Sequence, residues 1–166
     1  MPSKSDVIVL VGPMGVGKST VGKKLAKALK LPFCDTDSLI VAEHGPIDKI
    51  FETSGEDEFR KIEHEALARS LRSPGIVATG GGAVLLDDSQ KLLKDATVVY
   101  LSTDGKHIAS RLRKSSRPLI KNGLDDWRRI YDSRKAVYEK VADVEINTSG
   151  HPLSQTIAEI RERLAI

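Results

Sequence analysis

Residues Gly12-Pro-Met-Gly15-Val16-Gly17-Lys18-Ser19 fit the pattern G-x-x-x-x-G-K-[ST], the phosphate-cradling P-loop. The glycines let successive backbone N–H groups turn toward phosphate oxygens. Lys18 is then within reach of the outer phosphates, and the Ser19 hydroxyl is suited to ligate Mg²⁺. Such a loop works only between a strand and a helix N-terminus. The sequence provides both: an apolar run, Val7–Val11, before the loop and a helical pattern from Lys18 to about Leu29 after it.

Asp35-Thr36-Asp37 follows a second short apolar run. Ligands of parallel sheets collect beyond the carboxyl ends of the strands, which predicts that this pair lies beside the P-loop. At a spacing of two residues the carboxylates diverge. Asp35 is expected to face the Mg²⁺ shell through water, and Asp37 the hydroxyls of an acceptor. Asp37, ahead of Ser38-Leu-Ile, also suits a helix N-cap, and the two roles are compatible. Thr79-Gly80-Gly81-Gly82 follows a third apolar run, and three glycines there predict close approach of a ligand to backbone N–H groups. Arginines complete the candidate set. Guanidinium groups match carboxylates bidentately, so Arg60 and Arg134 suit a clamp on an acidic acceptor. Arg117, before Pro118, suits the transferred phosphoryl group. Each arginine taken singly reads equally well as a solvated charge.

These residues need a scaffold, and the hydrophobic pattern outlines one. Further strands are predicted at Leu31–Cys34, Ile76–Ala78, Thr97–Leu101 and Val144–Ile146. Helices are predicted at Glu56–Leu71, where Phe59, Ile62, Ala66, Leu67 and Leu71 recur with the helical period, and at Leu124–Val141 and Pro152–Leu164. Strands alternating with helices imply an α/β domain: three layers, a five-stranded parallel sheet with helices on both faces. With neither a linker nor a repeat, residues 1–166 read as a single domain. Two regions break the rhythm. Residues 35–62 hold short helical pieces around Gly45-Pro46 and Ser54-Gly55 and read as an acceptor-binding insertion. Residues 112–124 are basic and aperiodic and read as a lid over the phosphates.

The remaining composition narrows the class. The chain has 166 residues, enough to bury a core without disulfide or metal staples. Its single cysteine, Cys34, reads as a buried structural thiol, and no Cys/His spacing suits zinc. Neither a signal peptide nor an apolar run long enough to span a bilayer is seen, so a cytoplasmic location and no membrane partner are expected. A net charge of +3 and only 4% aromatic residues give no basic, aromatic-interleaved stripe, so no nucleic-acid partner is expected. There is no D-x-x-G switch motif and no guanine-reading Lys-x-Asp after the P-loop, and Thr97–Leu101 ends in Ser102 rather than the Asp of a motor ATPase. What remains is a small-molecule kinase. A nucleotide-binding regulatory module without catalysis is the alternative from another class.

The ordered set G-x-x-x-x-G-K-S-T, D-T-D, F-R-x-x-E, G-G-G, R-P-L and R-x-x-x-Y resembles the shikimate kinase family, from Val7 to about Leu164. The resemblance implies ATP-dependent phosphorylation of the shikimate 3-hydroxyl by a P-loop kinase fold with Mg²⁺. It implies ATP on Gly12, Gly15, Val16, Gly17, Lys18, Ser19 and Thr20, with Ser19 and Asp35 on the metal side. Lys18, Asp37 and Arg117 would be the catalytic residues. Arg111 and Pro152 would flank the adenine, Arg111 being preferred to Arg113 across a lid that is about one residue short. For shikimate it implies Asp37, Arg60, Glu63, Gly80, Gly81, Gly82 and Arg134, with Ile47, Phe51 and Phe59 covering the ring. A monomer is expected. The nearest rival acceptor is another polyol acid such as gluconate.

Overall fold

The computed structural model describes residues 4–112 and 122–166. Five strands, β1 (Val7–Val11), β2 (Phe33–Asp35), β3 (Gly75–Ala78), β4 (Thr97–Ser102) and β5 (Val144–Asn147), form one sheet in the order β2-β3-β1-β4-β5. Every pairing is parallel. Seven helices accompany it among the described residues: α1 (Lys18–Leu29), α2 (Thr36–His44), α3 (Ile47–Ser70), α4 (Asp87–Leu93), α5 (Ile108–Leu112), α6 (Leu124–Val141) and α7 (Leu153–Leu164).

The strict alternation of side chains along a strand assigns the layers. Val7, Val9 and Val11 pack with Leu67 of α3, Leu93 of α4 and Trp127, Tyr131 and Tyr138 of α6. Ile8 and Leu10 point the other way, onto Val21 and Leu25 of α1 and Ile160 of α7. Burial on both faces explains why β1 reads as an unbroken apolar run. A third cluster, Ile40, Ile50, Phe59 and Ala66, joins α2 to α3. Among the described residues, no helix is long and apolar enough to cross a membrane.

Three elements differ from the pattern-based expectation. The second strand starts at Phe33, not Leu31, because residues 30 and 31 close α1. Lys30 adopts the left-handed conformation, and the Leu31 N–H donates to the Ala26 carbonyl at 2.9 Å. The helix expected from Glu56 is the second half of α3, which begins at Ile47 and bends at Gly55 (φ 81°, ψ 172°). Pro152 is the N-cap of α7 rather than a residue of its first turn. Helices α4 and α5, of seven and five residues, were not read from the sequence.

Candidate active site

One cavity of about 880 Å³ lies along the carboxyl ends of the strands. Its lining joins the P-loop, Asp35 and Asp37, both halves of α3, the glycines after β3, Arg111 and Arg134. Residues scattered over more than a hundred positions are thus brought to one site by the sheet.

The P-loop turns through Gly12, Gly15 and Gly17, all at positive φ, and α1 begins at Lys18. Gly15, Val16, Gly17, Lys18, Ser19 and Thr20 line the cavity. Gly12 does not; it lies beneath the Leu101 carbonyl oxygen, which a methyl group in its place would approach to 2.5 Å. Lys18 is buried, and its Nζ donates to the Gly12 and Pro13 carbonyls at 2.7 and 2.8 Å. The ammonium thus rests on its own loop rather than extending outward.

Ser19 Oγ is hydrogen-bonded to Asp35 Oδ2. The other carboxylate oxygen, Oδ1, accepts the backbone N–H groups of Asp37 and Ser38 at 3.0 and 3.2 Å. Asp35, not Asp37, therefore caps α2, which leaves Asp37 to the cavity. A hydroxyl and a carboxylate facing the phosphate loop are the hard oxygen donors that Mg²⁺ prefers. Among the described residues no cluster of three His, Cys, Asp or Glu side chains is arranged for a metal.

Arg60, Glu63 and Arg134 are buried side chains that line one end of the cavity. Arg60 donates from Nη1 to Glu63 Oε1 at 2.8 Å and from Nη2 to Glu56 at 3.3 Å. Burial pushes the Glu63 carboxyl up, against the opposing pull of Arg60. The three glycines serve this cluster by leaving room. A methyl on Gly80 would lie 2.8 Å from Asp37 Oδ1 and 2.9 Å from Glu63 Oε2. On Gly82 it would lie 2.2 Å from Arg60 Nη1, and on Gly81 3.4 Å from Arg134 Nη1. The space a Cβ would need is filled by protein side chains, not by a free approach to the backbone. Ile47, Phe51 and Phe59 line the same end, the two rings 4.9 Å apart between centroids.

Two expectations shift at the opposite end. Arg111 lines the cavity, but its Nη1 donates to the Gly15 carbonyl at 2.6 Å, so it lies against the phosphate loop. Pro152 does not line the cavity; His151 and Leu153 do, together with Thr148 and Thr156. The backbone at Pro152 is extended, so its neighbours face opposite to its own ring. Arg113 and Arg117 lie outside the described residues.

Sequence reasoning missed this wall because it is assembled from a turn and a helix start that carry no motif. It also gave no role to Tyr138, whose hydroxyl donates to the Gly81 carbonyl at 2.6 Å. Burial pushes that phenol up to about 12, so it remains a donor. Helical spacing with Arg134, four residues earlier, was the available signal.

A family model for shikimate kinase matches residues 14–165. The chain is 44% identical to the shikimate kinase of Streptomyces coelicolor over 88% of each sequence. It is 40% identical to that of Pseudomonas paraeruginosa over 95% of each. The structure of shikimate kinase from Acinetobacter baumannii in complex with shikimate superposes with a TM-score of 0.91 at 35% identity, covering 98% of this chain and 95% of that one. A gluconokinase from Sinorhizobium meliloti, at 20% identity and a TM-score of 0.63 over 99% and 94%, shares the fold alone.

Proposed function

The chain belongs to the shikimate kinase family, and we propose that it transfers the γ-phosphoryl group of ATP to the 3-hydroxyl of shikimate. One observation carries the reading. Two buried arginines and the Asp37 carboxylate share a cavity with a P-loop, which is the recognition set for a carboxylated polyol beside a nucleotide.

Arg60 and Arg134 hold the shikimate carboxylate, because guanidinium groups bind carboxylates through paired, charge-assisted hydrogen bonds. Glu63 fixes the Arg60 guanidinium at 2.8 Å. Ile47, Phe51 and Phe59 cover the apolar ring face. Asp37 accepts a hydrogen bond from the acceptor hydroxyl and orients its oxygen toward the γ-phosphorus. As the new P–O bond forms, the hydroxyl gives up its proton by way of Asp37, the bond to the β-phosphate oxygen breaks and ADP leaves.

The P-loop N–H groups hold the nucleotide phosphates. Lys18 swings from the Gly12 and Pro13 carbonyls onto the outer phosphates. Ser19 and Asp35 are the residues that would hold Mg²⁺, which when bound neutralises charge on the phosphates. The wall of His151 and Leu153 receives the base, Arg111 stays against the phosphate loop, and the family resemblance gives Arg117 the transferred group. Such catalysis is mainly positioning and charge stabilisation. All the assigned residues come from one chain, which acts as a monomer.

The test is ADP release by purified protein with Mg-ATP, with and without shikimate, beside a panel including gluconate. Shikimate-dependent turnover is expected. Its absence in folded protein, or a preference for gluconate, overturns the reading.

A further inference from the structure

Four consecutive carbonyls of the P-loop are each held by a side-chain donor. Lys18 Nζ takes Gly12 O and Pro13 O, Arg111 Nη1 takes Gly15 O at 2.6 Å, and the indole Nε1 of Trp127 takes Met14 O at 2.7 Å. Three of these bonds come from two cationic side chains, Lys18 and Arg111, that line the cavity. The fourth comes from a neutral, fully buried side chain on α6.

We propose that Trp127 is a positioning residue of the phosphate site: its indole N–H fixes the Met14 peptide and so presets the N–H groups that follow it for nucleotide phosphates. The inference rests on the reading of the P-loop as the ATP site. Several observations support it. A peptide's N–H and C=O point in opposite directions, so tying the Met14 carbonyl outward turns the Gly15 N–H inward. Trp127 cannot drift, because Gly105 packs on its edge, where a methyl would come within 2.8 Å, and the Tyr131 ring lies 5.2 Å away between centroids. Arg128 also stands over the indole, 5.0 Å from its centroid. Two turns further along α6, the same buried side of the helix presents Arg134 to the acceptor end. One helix thus braces the donor loop and carries an acceptor clamp.

The substitution Trp127→Phe keeps a large ring and removes only the donor. It is expected to raise KM for ATP roughly threefold to tenfold, the weight of one hydrogen bond. KM for shikimate is expected to stay within about twofold. Tyr131→Phe removes a buried hydrogen bond to Tyr100 from the same helix and serves as the structural control; it should move neither constant. A Trp127→Phe enzyme with unchanged KM for ATP, or with both constants raised alike, overturns the proposal. The wild type supplies a second readout that no unfolding can confound. Trp127 is the chain's one tryptophan, so its emission should shift on adding Mg-ADP and stay constant with shikimate alone. No shift with Mg-ADP, or an equal shift with shikimate, also overturns it. Wild-type turnover with shikimate reports separately on the proposed reaction.

Discussion

The acceptor cluster holds two buried cations and a buried carboxylate within a few ångströms of three glycines, and each member constrains the next. Removing Arg60 takes away a charge-assisted pair, worth roughly 10- to 150-fold in affinity. Arg60→Ala should therefore raise KM for shikimate by about that factor while KM for ATP stays within about twofold; equal losses would contradict the clamp. Gly82→Ala should act in the same direction with Arg60 still present, because the new methyl would lie 2.2 Å from its guanidinium. Lys18→Ala should lower kcat by roughly a hundredfold to a thousandfold or more. Shikimate binding, read by calorimetry, should persist in that variant, and wild-type turnover would refute the cradle assignment. The raised Glu63 pKa adds a pH signature. Its folded value lies above the usual 4.5, so the folded state holds this proton more tightly than the unfolded chain. Stability is full below about 4.5 and declines as pH rises through the folded value. Glu63→Gln abolishes that titration. Wild-type stability measured relative to the variant should fall as pH climbs above 4.5, and a difference independent of pH would remove Glu63 as the titrating group.

At the level of elements, the bend in α3 joins the wall of Ile47 and Phe51 to the clamp of Arg60. Gly55 makes that bend with φ 81° and ψ 172°, a conformation open essentially to glycine alone. Nothing lies within 4 Å of a methyl there, so Gly55→Ala tests backbone strain without a clash. The strain costs about 1–3 kcal/mol, and a domain of this size loses about 2–4 °C in Tm per kcal/mol. A Tm lower by roughly 2–12 °C, with KM for shikimate raised and KM for ATP unchanged, is expected from calorimetry and steady-state rates. An unshifted Tm would show that the bend is not strained. The sequence makes the second half of this helix visible through the period of Phe59, Ile62 and Ala66, but hides its first half behind Ser54-Gly55, which reads as a turn. The P-loop, the five strands and α1 and α6 were legible because a glycine pattern or a sustained hydrophobic period encodes them locally. Helices α4 and α5 are too short to show a period. In sequence Asp37 is the candidate cap, and only the backbone geometry assigns the cap to Asp35 instead. The wall of Thr148, His151 and Leu153 and the bond from Trp127 to Met14 depend on elements distant in sequence, where local pattern carries no signal.

At the level of the whole molecule, the strand order explains why two substrates meet. From β1 the chain moves outward to β2 and returns through β3 on one side, then continues through β4 and β5 on the other. The P-loop follows β1, at the point where the direction reverses, which is where open parallel sheets bind ligands. One side supplies Asp37, Arg60 and Gly80–Gly82; the other supplies Arg111 and the Thr148–Leu153 wall. Arg134 crosses between them because α6 packs over the central strands, with Tyr138 reaching the Gly81 carbonyl. A cavity built jointly by both sides exists only in the folded state, so each ligand should stabilise the whole sheet rather than its own half. A ligand at a hundred times its Kd stabilises by about 2.7 kcal/mol, or roughly 5–10 °C in Tm for a domain of this size. Mg-ADP and shikimate should each give a shift of that order, and every melt should remain a single transition by calorimetry. Two transitions, with one ligand moving only one of them, would mean that the halves fold independently and that the shared cavity does not couple them.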